Sequence, residues 1–65
     1  MIDWKDNKEE QPVNGRICLL KLINGSYCID RQRCGEWRFT QDSVSKWAFL
    51  NDKIVDTVFR EYFKP

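Results

Sequence analysis

Hydrophobic and polar residues form short alternating blocks along the chain, and positions 17–23 are the first strand-like block. This block reads Ile-Cys-Leu-Leu-Lys-Leu-Ile and follows a largely polar stretch at positions 3–12. Asn24-Gly25 comes next, and Asn-Gly between apolar runs is a strong hairpin signal because both residues tolerate a positive φ. The pattern therefore predicts a β-hairpin with strands at about 17–23 and 26–31.

A two-residue turn at Asn24-Gly25 predicts the pairing of this hairpin. It places Leu22 opposite Tyr27 and Leu20 opposite Ile29. Successive side chains of a strand point to opposite faces of the sheet, so the pairing also predicts which face is buried. The expected core face carries Cys18, Leu20, Leu22, Tyr27 and Ile29, and Cys28 falls on the outer face.

Two further extended segments follow the hairpin. Positions 36–40 alternate cleanly, with Trp37 and Phe39 directed inward, and are predicted to form a third strand. Positions 46–50 are either a fourth strand or an extended segment lying across the sheet.

The last block has the period of an amphipathic helix, predicted at about 52–63. At 100° per residue its apolar side chains occupy one half of the helical wheel and its polar side chains the other half. Asn51 is a suitable N-cap residue. The predicted fold is α+β: residues 1–65 form a single domain, in which a small antiparallel sheet of three to four strands packs against one C-terminal helix.

Three tryptophan frames resemble a small phage- and prophage-encoded family, domain of unknown function 551. Trp4, Pro12 and Gly15 match its first element, Gly35-Glu36-Trp37 its centre, and the segment 44–50, Val-Ser-Lys-Trp-Ala-Phe-Leu, its end. The resemblance covers residues 4–50 and leaves the C-terminal helix as an addition. It implies a β-rich fold and an origin in a mobile element, and it implies no catalytic residues.

Charge and hydropathy exclude several classes of function. Eleven Lys and Arg balance ten Asp and Glu, so the net charge of +1 gives no overall field toward DNA or anionic lipid. No apolar run approaches the roughly 20 residues of a membrane span, and the start of the chain lacks the apolar core of a signal peptide. We therefore expect a cytoplasmic protein that does not bind membranes and has reduced cysteines.

The residue types present argue against an enzyme. There is no histidine, so the commonest general base is absent. The spacing Cys28-x5-Cys34 is not a zinc-knuckle spacing, and three thiols cannot complete a tetrahedral site alone. We predict no catalytic residue, cofactor or metal ligand. Cys18 is expected to fill the core, and a disulfide between Cys28 and Cys34 in vitro stays open.

Two surfaces are candidates for binding. Arg31, Arg33 and Arg38 lie close to the hairpin and predict a basic patch near Tyr27, unless Asp30, Glu36 and Asp42 neutralise it. The apolar half of the helix is wider than the stripe of about 100° that a core-facing helix needs. Its excess, in Phe59, Tyr62 and Phe63, indicates a homodimer seam or a foreign partner, unless the tryptophans of the sheet cover it.

The leading hypothesis is a non-enzymatic interaction protein of phage or prophage type that binds and inhibits a host protein. Aromatic and arginine side chains are the residue types that dominate binding hot spots. The alternative is a single-stranded nucleic-acid-binding module that uses the arginines of the hairpin. The predicted interaction residues are Tyr27, Arg31, Arg33, Arg38, Phe59, Tyr62 and Phe63.

Overall fold

The computed structural model describes residues 2–38 and 43–63, and these residues form a four-stranded antiparallel sheet with one helix. The strands are β1 Lys5–Asp6, β2 Cys18–Leu22, β3 Tyr27–Asp30 and β4 Val44–Phe49, and the helix is α1 Val55–Tyr62. The order across the sheet is β1-β4-β2-β3. The predicted α+β class is confirmed, and the open choice at positions 46–50 is settled as a strand.

The strands differ in detail from the prediction. Residues 36–38 contain no strand, only a bridge between Glu36 and Arg33, and the remainder of the predicted strand at 36–40 lies outside the described residues. The fourth strand of the sheet is instead β1, which pairs Lys5 with Trp47. β1 consists of two charged residues and shows no alternation of apolar and polar side chains, so no sequence pattern predicts this strand.

The predicted register of the β2–β3 hairpin is wrong by one residue. Leu22 N donates to Ser26 O at 2.8 Å, and Gly25 N donates to Leu22 O at 3.0 Å, which closes a loop of three residues, 23–25. Gly25 has a φ of +88° and takes the left-handed position that such loops require. Glycine at the third loop position, rather than the Asn-Gly pair, therefore determines the turn.

This shift moves two predicted core residues to the other face. Leu20 pairs with Cys28, and Leu19 pairs with Ile29. Tyr27 and Ile29 therefore share a face with Leu19, while Cys28 packs against the core cluster on the Leu20 face. The expectation that Cys28 points outward is wrong for the same reason.

The first face of the sheet is covered by the loops around Trp37. Its buried cluster consists of Cys18, Leu20, Trp37, Val44 and Trp47. Trp37 Nε1 donates to Asn7 Oδ1 and Trp47 Nε1 donates to Glu10 O, both at 2.9 Å. These two bonds hold the polar stretch between β1 and β2 against the cluster while keeping both indole N–H groups paired.

The second face is covered by α1. Leu19 on β2, Ala48 on β4 and Val58 on α1 are all buried. Tyr62, one turn after Val58, packs its ring 4.6 Å from that of Tyr27 on β3. The sheet is therefore buried on both faces, although the sequence pattern indicates only one.

The helix begins slightly later than the sequence predicts. Asn51 Oδ1 accepts a hydrogen bond from Lys53 N at 2.9 Å, and Asn51 O accepts from Val55 N at 3.1 Å. These bonds close a turn before the helix. The N-cap residue of α1 is Ile54, which makes no side-chain capping hydrogen bond, so the predicted N-cap role of Asn51 is wrong and the helix starts at Val55 rather than at about 52.

One cross-strand pair is unfavourable, and its removal is a test of the register. Lys21 lies directly opposite Lys46, and like charges at such positions destabilise a sheet. We expect Lys21→Glu to raise the free energy of unfolding by about 0.5 kcal/mol, and Lys21→Gln to raise it less, in urea denaturation. Lys46→Glu is the matched control. Its new carboxylate would face Lys21 on one side but the like-charged Asp6 on the other, so we expect no gain in stability. A loss of stability in Lys21→Glu would contradict this register.

Candidate functional site

A tight reversal of the chain after β3 builds the candidate site. Arg33 and Glu36 exchange both backbone hydrogen bonds, at 2.8 and 3.0 Å. The two residues between them have positive φ, +53° at Cys34 and +80° at Gly35, as in a two-residue hairpin turn. The turn sends the chain back toward the end of β3, so Arg31 and Arg38 come close to each other.

Asp30 holds these two positions. Its Oδ1 accepts from Arg31 N at 2.7 Å, and its Oδ2 accepts from Arg38 N at 2.8 Å. In a regular hairpin continued from the Arg33–Glu36 pair, residues 31 and 38 would face each other directly. Here the buried carboxylate lies between their two N–H groups, so it anchors both backbones and brings both arginines to one place.

The three predicted arginines line one cleft. It has a volume of about 250 Å³ and is lined by Ile17, Ile29, Asp30, Arg31, Arg33 and Arg38. Ile17 is 47% exposed and supplies apolar surface beside the guanidinium groups. We call this the arginine cleft.

The arginines of the cleft form no ion pair within the part of the chain that the structure describes. The ion pair found there joins Lys5 to Asp3, and no carboxylate of residues 2–38 or 43–63 pairs with Arg31, Arg33 or Arg38. Both oxygens of Asp30 accept backbone N–H groups instead. Asp42, the third residue expected to neutralise the patch, lies outside the described residues. The described lining of the cleft is therefore cationic, and it also contains the apolar side chains of Ile17 and Ile29, which we call the apolar floor.

The four aromatic candidates lie away from the arginine cleft and form two separate sets of ring contacts. Tyr27 and Tyr62 are half-buried and contact each other and Trp4, with ring centroids 4.6–6.3 Å apart. Phe59 is 51% exposed and lies 5.6 Å from the ring of the half-buried Phe63. None of the four lines the arginine cleft. The structure thus brings the arginines together but not the arginines with the aromatics.

Sequence reasoning missed the apolar part of the cleft. The predicted register places Ile29 on the core face of the hairpin, on the side opposite Leu19 and Ile17, so it separates the two isoleucines. A three-residue loop ending in Gly25 would have placed Ile29 beside Leu19, on the other face. Asp30 was expected to neutralise the arginines, whereas it organises their backbones.

The cysteines show no sign of a reactive centre. All three are free: Cys18 is buried as predicted, Cys28 is half-buried and Cys34 is exposed. Burial raises the pKa of the Cys18 thiol from 9.0 to about 11; Arg16 lowers it and Asp30 raises it to smaller extents. Burial, and then the charge of Asp30, also raises the pKa of Cys28. Both thiols are therefore protonated, and poor nucleophiles, at neutral pH.

This order of thiol burial predicts an order of labelling. At pH 8 we expect a disulfide reagent to modify Cys34 first, Cys28 more slowly, and Cys18 only when the protein unfolds. Mass spectrometry of the digested protein measures each site. The Cys18 thiol also makes folding pH-dependent: between pH 9 and 11 the unfolded chain loses this proton first, so stability falls as the pH rises. Rapid labelling of Cys18 in the folded protein would contradict the core assignment.

Other site chemistries find no support in the described part of the chain. Within it, no group of three Cys, Asp or Glu side chains is placed to hold a metal ion. No helix of residues 2–38 and 43–63 has the length and apolar character needed to cross a membrane.

No family model matches the chain, and no curated protein or solved structure matches it either. The resemblance to domain of unknown function 551 stays a prediction.

Proposed function

We propose that this protein is a non-enzymatic interaction protein that binds a partner protein through the arginine cleft. The observation that carries the proposal is the convergence of Arg31, Arg33 and Arg38 on one cleft, without an ion pair to any described carboxylate. Arginine is enriched in binding hot spots because its planar guanidinium group donates several hydrogen bonds and also stacks.

The scaffold around the cleft suits a binding role. The cleft lies where β3 ends, on a sheet buried on both faces, and Asp30 ties its two sides together. Because these bonds fix the backbone, little backbone conformational entropy is lost when a partner binds. Binding would act by occlusion: the bound protein covers a surface that the partner needs for its own function.

The biological setting is proposed from the resemblance and from the small size of the chain. The three tryptophan frames are similar to a phage- and prophage-encoded family. We therefore propose a host bacterial protein as the partner, in the cytoplasm, with inhibition of a defence factor or of a factor taken over by the phage as the outcome.

Single-stranded nucleic acid is the second candidate, because the same arginines could contact phosphates. Modules that hold single strands also stack bases on aromatic rings. Among the described residues no aromatic side chain lines the arginine cleft, and Tyr27 packs against Tyr62 and Trp4. The geometry therefore favours a protein partner over a nucleic acid.

The exposed aromatic surface of α1 is the candidate contact surface of the predicted homodimer. Phe59 is half exposed on the helix, next to Phe63. Self-association through this surface stays a prediction. Sedimentation of the 7.8 kDa chain at micromolar concentration tests it, with Phe59→Ala as the variant that should shift a dimer to monomer.

A capture experiment with two charge-matched variants tests the proposed function. The cleft variant carries Arg31→Ala, Arg33→Ala and Arg38→Ala, and the control carries Lys8→Ala, Lys53→Ala and Arg60→Ala, all at exposed positions away from the cleft. Each set changes the net charge from +1 to −2. We expect the wild-type and control proteins to retain the same host protein from a bacterial lysate, and the cleft variant to lose it.

Two results would contradict the proposal. One is a protein partner that the cleft variant retains as well as the wild type does. The other is retention of nucleic acid alone, with binding that weakens steeply as salt rises. Circular dichroism of the three proteins shows whether the variants remain folded.

A further inference from the structure

We infer that the occupant of the arginine cleft is an acidic segment of the partner in which carboxylate side chains flank an aliphatic one. This inference rests on the proposed function and specifies the partner's chemistry. It is carried by three properties of the cleft: its charge, its apolar floor and its size.

The charge of the cleft selects an anionic occupant. Three arginines line it, and the carboxylate in its described lining, Asp30, is already bonded to two backbone N–H groups. Guanidinium groups bind carboxylates through paired, charge-assisted hydrogen bonds. Carboxylates of a partner segment would therefore supply the acceptors that the described chain does not.

The apolar floor selects an aliphatic side chain between those carboxylates. Ile17 and Ile29 lie in the same lining as the arginines, and about half of Ile17 is open to solvent. An aliphatic side chain placed there removes apolar surface from water on both partners. A phosphodiester chain offers no such group, and no aromatic side chain in the described lining of the cleft is placed to stack on a base.

The size of the cleft fits side chains better than a whole small ligand. Its volume of about 250 Å³ lies below the range of roughly 300–1,000 Å³ typical of small-molecule pockets. The buried carboxylate of Asp30 in one wall also disfavours a uniformly anionic ligand, since a like charge placed beside it is repelled. A short mixed acidic and aliphatic segment satisfies all three properties.

The test is fluorescence anisotropy with a labelled peptide of repeated Asp-Leu-Glu triplets, capped at both ends, and the full-length protein. Two comparison peptides change one property each: in one, Asn and Gln replace the acids, and in the other, Gly replaces Leu. A thymidine oligonucleotide is the third probe and tests nucleic acid as the ligand. We expect the first two changes to weaken binding about tenfold or more, which is the effect of losing one good contact. The oligonucleotide should bind more weakly than the acidic peptide.

Protein variants localise the binding to the cleft. Ile17→Ser removes apolar surface from the floor, and Val13→Ser is its control at a more exposed position that does not line the cleft. We expect Ile17→Ser and Arg38→Ala each to weaken peptide binding several-fold, and Val13→Ser to leave it unchanged. Inorganic phosphate at equal ionic strength should displace the peptide no better than chloride does.

Failure of this inference is distinguishable from failure of the proposed function. If the lysate partner depends on the arginines but the acidic peptide does not bind, or the oligonucleotide binds more tightly, the stated partner chemistry is wrong and the binding role stands. If peptide binding is insensitive to both Ile17→Ser and the removal of Leu, the occupant is simply anionic and the inference is overturned. If the cleft variant captures every protein that the wild type captures, the proposed function itself is wrong, and this inference falls with it.

Discussion

Leu19→Ala should destabilise the protein as strongly as Leu20→Ala, by about 2–5 kcal/mol each. These neighbours lie on opposite faces of β2 and are 1% and 0% exposed, respectively. Truncation removes buried methyl groups and leaves a cavity on either face, since α1 covers one and the loops around Trp37 cover the other. For so small a domain this is a large part of the total stability. Urea denaturation measures the loss as a lower midpoint with an unchanged slope.

The matched control is Ile23→Ala, in the same hairpin but 71% exposed, for which we expect a change within about 0.5 kcal/mol. If Leu19→Ala is unfolded without denaturant, the milder Leu19→Val gives a measurable loss of about 1 kcal/mol for one methylene group. A hairpin buried on one face only, as its hydrophobic pattern indicates, would make Leu20→Ala costly and Leu19→Ala nearly neutral. That result would show that α1 does not pack on the sheet.

Asp30→Asn should cost about 2–4 kcal/mol of stability and also weaken binding at the arginine cleft. The wild-type carboxylate accepts two hydrogen bonds, from Arg31 N and Arg38 N, and hydrogen bonds to a charged group contribute about 1.5–3 kcal/mol each. An asparagine side chain has only one oxygen, so its NH₂ group would face one of the two backbone donors. The end of β3 and the segment at Arg38 would then separate.

Asp6→Asn is the control for this substitution. Asp6 Oδ1 also accepts a backbone hydrogen bond, from Lys8 N at 2.8 Å, but this bond is exposed and water can replace it. We expect Asp6→Asn to cost less than about 1 kcal/mol and to leave peptide binding unchanged. Equal stability of Asp30→Asn and the wild type would mean that the carboxylate does not organise the cleft.

The elements were predictable where one physical rule acts alone. The helix follows from its 3.6-residue period, and β2 from its run of apolar residues before a turn. The hairpin register was not predictable from Asn24-Gly25, because a two-residue and a three-residue loop both use Gly25 at a positive φ. β1 was not predictable either, since its two charged residues are held by pairing with β4 and have no pattern of their own.

The candidate site was predictable in its charges and not in its shape. Proximity in sequence was enough to name Arg31, Arg33 and Arg38 as a patch. Their convergence depends on the turn at Cys34-Gly35 and on the Asp30 carboxylate, whose hydrogen bonds to two backbone N–H groups a residue pattern does not show. The floor forms only when the register places Ile29 on the face of Leu19 and Ile17, so it was missed together with the register.

The side-chain Nε–H resonances of the arginines, followed by NMR in isotope-labelled wild-type protein, show directly whether the arginine cleft is the binding surface. Arg31, Arg33 and Arg38 report on the cleft, while Arg16, which lies over the Phe49 ring, and Arg60 on α1 are internal references. On titration with the acidic peptide, we expect the three cleft resonances to shift together at one affinity and both references to stay in place. Shifts confined to Arg16 or Arg60, or no shift at the three cleft arginines, would contradict this expectation.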